Sequence, residues 1–145
     1  MKKKIGIIII VLVLIQFIQP KKNQTKNNTN DISNEIKVSK NVQEIIKTSC
    51  ADCHTNYTVY PWYNKIAPVS WFLAYHINDG KEHLNFSEWM KYNKKQKNHI
   101  IKNLKEVIKE KEMPLTSYTL IHKNAVLTEQ QSEVFSEWLN TLNKY

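Results

Sequence analysis

The sequence predicts an all-α domain behind an apolar N-terminal segment, and three observations predict it. Apolar residues recur at one-face helical spacing in several stretches, no stretch alternates with the two-residue period of a strand, and there are only two glycines where tight hairpins usually require them. A chain of 145 residues has room for one small domain with one site, not for two independent cores.

The first element opens with Lys2, Lys3 and Lys4 and continues as an apolar run from Ile5 to Ile18, broken only by Gly6 and Gln16. This is the pattern of an export signal. The run is short for a full span, which takes about 20 apolar residues. It ends Gln16-Phe17-Ile18-Gln19-Pro20, without the small residues of a peptidase site. Residues 1–20 are therefore expected to be an uncleaved membrane signal-anchor; the alternative is a cleaved signal peptide that leaves a soluble periplasmic protein. Residues 21–34 (KKNQTKNNTNDISN) hold one apolar residue, Ile32, and are expected to form a disordered polar linker.

The domain proper is expected over residues 35–145. Val38, Val42, Ile45 and Ile46 share one face of a short helix before Cys50. A second helix is predicted from Pro68 to Asp79, with Gly80 at the left-handed position after its end. A third begins near Ser87, carries Ile100, Leu104, Val107 and Ile108 on one side, and stops before Pro114. The last starts at Thr128, with Gln131 completing a capping box, and presents Val134, Phe135, Trp138, Leu139 and Leu142.

The net charge of +8 raises nucleic acid as a partner, but six of the lysines lie in residues 1–34 against Asp31 alone. There is no arginine, the residue that reads guanine edges and clamps phosphates. No nucleic-acid partner is expected.

Chemistry concentrates in Cys50-Ala51-Asp52-Cys53-His54, a C-x-x-C-H run. Two thiols three positions apart each bond one vinyl-derived carbon of a porphyrin, and the adjacent imidazole is delivered to the iron. Three other readings use the same residues. A redox dithiol needs a βαβ context that is absent, a structural zinc needs two further ligands that His76 and His83 do not supply at the required spacing, and a plain disulfide is compatible with export. The motif predicts one haem c per chain, with Cys50 and Cys53 as attachment points and His54 as the proximal axial ligand.

From Ser49 to Trp138 the chain resembles the small bacterial haem-binding domain family with the C-x-x-C-H motif, itself similar to class I cytochromes c. The stretches that carry the resemblance are CADCHTNYTVYPWY, IAPVSWFLAYHINDGKEHLNFSEW, EMPLTSY, IHKNAVLT and a closing helix with Trp138. It implies a cytochrome c-like helical fold and a membrane-attached haem facing the periplasm from a bacterial inner membrane, and it implies no particular partner.

Met113-Pro114 is the first candidate for the distal axial ligand, because the proline ends the helix and exposes the thioether from a loop; the alternative is a methionine filling a gap. His76, on the helix with Trp71, Phe72 and Tyr75, is the alternative distal ligand or a satisfied pocket residue. Trp62, Tyr63 and Trp71 belong to an aromatic cluster expected to pack on the porphyrin, with ordinary core packing as the alternative. Lys91, Lys94, Lys95, Lys97, Lys102, Lys105 and Lys109 form either a docking face for an acidic redox partner or a solvated helix face. The expected function is electron transfer; a peroxidase-type enzyme or a haem-based sensor requires an open or exchangeable sixth position.

Overall fold

The computed structural model describes residues 2–142. The apolar run forms α1, Lys2–Leu14, followed by a 3-10 turn, Ile15–Phe17. At 13 residues α1 is about 20 Å long, below the ~30 Å of a hydrocarbon core. Among the described residues no helix is long and apolar enough to cross a membrane, so the expected spanning anchor is not what these residues form.

The polar stretch 21–34, expected as a disordered tether, is instead held against the domain. Gln24 makes an isolated antiparallel bridge with Tyr57, and the Thr25 N–H donates to the Asn56 carbonyl at 2.8 Å. Asp31 caps a 3-10 turn, Ile32–Asn34, by accepting from the Ser33 N–H at 2.9 Å, and this turn buries Ile32 in the core. Composition missed this because the stabilising partners are backbone groups tens of residues away, which a local hydropathy average does not register.

Ser39 caps α2, Lys40–Ile45, which runs through a π turn, Ile46–Cys50, into the single turn α3, Ala51–His54. After a 3-10 turn, Trp62–Lys65, comes α4, Val69–His83, and then a 3-10 stretch, Phe86–Lys91. The expected third helix is thus two elements: α5, Lys94–Lys109, starts only after Asn93, whose side chain forms a capping box with Gln96. It ends before Pro114 in a Schellman motif, with Lys111 at φ 57° and the Glu112 N–H donating to the Val107 carbonyl at 2.9 Å. The short α6, Thr116–Thr119, precedes α7, Glu129–Thr141, whose Thr128–Gln131 capping box is as expected.

One core results. Val42, Ile45, Ile100, Ile101, Ile108, Phe135 and Leu139 meet where α2, α5 and α7 pack, and Phe86 and Trp89 complete the cluster. Each of these large side chains contributes roughly 1.5–3 kcal/mol by leaving water. Lys97 is not on a solvated face: it is buried, and its Nζ donates to both Glu35 carboxylate oxygens at 2.7 and 2.5 Å. It therefore drops out of the lysine face expected for a partner.

Candidate functional site

The π turn adds one residue to the helix and ends at Cys50, which itself departs from helical geometry at φ −123°. Such turns recur at functional sites because they re-aim the side chains that follow. Here they set Cys50, Cys53 and His54 against α4, which crosses the motif at Gly80.

Gly80 was expected to end the second helix, yet it is helical and buried, and α4 continues to His83. Its lack of a side chain serves a close approach, not a turn. A Cβ there would lie 3.0 Å from the Cys53 carbonyl oxygen and 3.2 Å from the Cys53 Cβ. Gly80→Ala gains about 1 kcal/mol of helix propensity but wedges α4 from the motif, an overpacking of roughly 1–3 kcal/mol against backbone that cannot rotate away. The expected net result is destabilisation by about 1 kcal/mol, read from the urea midpoint at unchanged slope; a gain in stability refutes the close-approach account.

His54 is oriented by its inner nitrogen. Nδ1 lies 3.0 Å from the Leu84 carbonyl oxygen, and since a carbonyl only accepts, Nδ1 carries the proton and Nε2 keeps the lone pair. Burial holds the His54 pKa below its ordinary value, against the opposing pull of the Leu84 and Gly80 carbonyls, so the ring stays neutral and able to ligate. Burial also pushes the Cys50 thiol up to about 12, with Cys53 adding to the shift, and the Cys53 thiol up to about 11, with Asp52 adding. A catalytic redox dithiol depends on a lowered thiol pKa, so these protonated thiols speak against that reading.

Three adjoining cavities surround the motif. One is lined by Cys50, Cys53 and His54 together with His76, Met113, Pro114, Leu115 and Tyr118. Another joins Cys50, His54 and Met113 to the apolar core at Leu104, Ile108 and Phe135. The third is a mostly apolar cleft between Cys53 and Val69, Phe72, Leu73, Leu115 and Ile121, into which His76 and Tyr63 also reach. Thus Met113 shares two cavities with His54, and His76 shares one. Met113 and Pro114, joined by a cis peptide, are half-buried.

Of the three expected aromatic packing residues, only Tyr63 lines the cleft. Trp62 points to solvent, and Trp71 donates its indole N–H to the Ile18 carbonyl.

Two contributors escaped sequence reasoning. Asp52, inside the motif, accepts from the Val59 N–H at 2.9 Å and from the Tyr118 hydroxyl at 2.7 Å. Tyr118 stacks on His122, with ring centroids 4.1 Å apart, and its phenol is held well above the usual range by burial and then by Asp52. This link ties the motif to the segment bearing Met113. Its only signal in the sequence was the position of Tyr118 in the stretch EMPLTSY.

Two half-buried thiols, a neutral oriented imidazole and a thioether lining one cavity fit a haem. They do not suit a bare metal ion: among the described residues no three His, Cys, Asp or Glu side chains are grouped to hold one. A family model described as a haem-binding domain matches residues 10–141. No curated protein and no solved structure matches the chain.

Proposed function

Since this chain belongs to the haem-binding domain family, we propose that it carries a single haem c, bonded through Cys50 and Cys53, and works as an electron carrier. The observation that carries the proposal is the convergence of Cys50, Cys53, His54 and Met113 on one cavity, with the His54 Nδ1 proton committed to Leu84. His54 is the proximal ligand and Met113 the distal one. The bound haem supplies one-electron chemistry at its iron. The protein's part would be to present Nε2 and the thioether to the shared cavity, to keep His54 neutral, and to exclude water with Phe72, Leu73 and Leu115. A histidine and a methionine together raise the potential relative to two histidines. In this reading the domain is cytochrome c-like, faces the periplasm from a bacterial inner membrane, and exchanges electrons with a separate redox protein. Residues 1–20 export it and enter lipid without being removed.

A second reading, a peroxidase-type enzyme or a ligand sensor, draws on His76, which lines both the Met113 cavity and the larger cleft. It requires an open sixth position with His76 as acid-base group above it.

The test is the mass of denatured full-length protein from a host competent in cytochrome c maturation. The expected result is one haem added, located by peptide mapping to 50–54. An apo mass with haem released on denaturation overturns covalent attachment.

A further inference from the structure

The end of α1 does not lead into free chain. Gln16 and Ala67 pair reciprocally: the Gln16 amide donates to the Ala67 carbonyl at 3.1 Å, and the Ala67 N–H donates back to the Gln16 side-chain oxygen at 2.9 Å. Gln19 donates to the Lys65 carbonyl at 3.1 Å, and the Trp71 indole N–H to the Ile18 carbonyl at 2.7 Å. Four bonds thus fasten residues 16–19 to residues 65–71.

Two properties of the joined surface point to what covers it. It is apolar where soluble surfaces are not: Phe17 is 83 % exposed and Trp62 79 %, with Ile18, Ile66, Val69 and Trp71 also exposed. It continues without a break into α1, which buries none of its residues. The segments that form it carry no negative side chain, since neither residues 2–30 nor residues 53–78 contain an aspartate or glutamate, while Lys21, Lys22 and Lys65 belong to those same segments.

We propose that the face formed by Phe17, Ile18, Trp62, Ile66 and Trp71 rests in the headgroup boundary of an anionic lipid bilayer, so that the domain lies on the membrane at a fixed orientation. The proposal rests on the reading of α1 as the segment that enters lipid. When α1 enters lipid, the residues hydrogen-bonded to the segment that follows it are carried toward the bilayer surface. Tryptophan suits that boundary, with an apolar ring and one polar N–H, and lysines beside it meet anionic headgroups. A helix too short to cross draws the domain down onto the surface. The apolar cleft shares Val69 with this region, so that side of the haem site is held near the membrane.

The test uses the full chain with vesicles of equal parts phosphatidylcholine and phosphatidylglycerol, the phosphatidylcholine either plain or brominated high on its acyl chains. Tryptophan emission is read as the ratio of the two, which cancels any constant quenching by haem. Trp89 and Trp138 are 0 and 8 % exposed. With Trp62 and Trp71 alone at the interface, brominated lipid is expected to remove about half of the emission, and Trp62→Phe or Trp71→Phe to remove about half of that effect. Lys65→Ala is expected to weaken vesicle binding about fivefold. Vesicle binding without quenching overturns the proposed face while leaving α1 in lipid. Absence of binding overturns both. Concentration-dependent self-association that shields Trp62 without lipid overturns the proposal in favour of a second copy of the chain.

Discussion

Replacing both Cys50 and Cys53 by alanine is expected to leave no haem on the denatured chain, while either single replacement leaves one thioether and therefore a full haem increment. The fold should survive, because both side chains are small and only half-buried, and loss of one sulfur costs on the order of 1 kcal/mol. The doubly substituted protein keeps His54, still oriented by Leu84, and Met113, so native protein retains haem that acidified organic solvent extracts. Mass spectrometry before and after extraction separates these states. A haem increment that persists in the denatured double variant places the bond elsewhere and removes the basis of the c-type reading.

Met113→Ala is expected to abolish the weak near-infrared band of methionine-to-iron ligation in the ferric protein and to open the iron to cyanide and carbon monoxide. It should also lower the potential by on the order of 0.1 V, a fraction of the roughly 0.8 V that axial ligands span. His76→Ala should leave the band in place. The contrast follows from placement: Met113 shares both inner cavities with His54, whereas His76 enters only one of them and sits edge-on to Phe72 at 4.2 Å. The reverse outcome makes the protein a bis-histidine cytochrome. Unchanged spectra in both variants favour the open-site reading and with it an enzyme or sensor.

Much of the helical architecture was legible because its signals are local. The Thr128–Gln131 cap, the one-sided run through Phe135, Trp138 and Leu139, and the stop before Pro114 each depend on residues within a turn or two. The start of α5 was legible in principle, since Asn93 and Gln96 form the same kind of box, but the apolar residues around Ser87 masked it. The C-x-x-C-H run pointed to haem for a similar reason: the whole of its signal lies within five residues.

The tertiary structure alone decided what depends on distant partners. It turned Gly80 from a helix end into a contact with Cys53, because absence of a Cβ serves a crossing as well as a turn. It took Lys97 out of solvent by supplying Glu35, and Trp71 away from the cleft by supplying the Ile18 carbonyl. It laid the polar stretch 21–34 along the domain and joined Asp52 to Tyr118. Local spacing specifies which backbone bonds and faces a segment forms. A polar side chain or a glycine is satisfied by whatever the fold brings within about 3 Å of it, and that partner is set by the packing of the whole core.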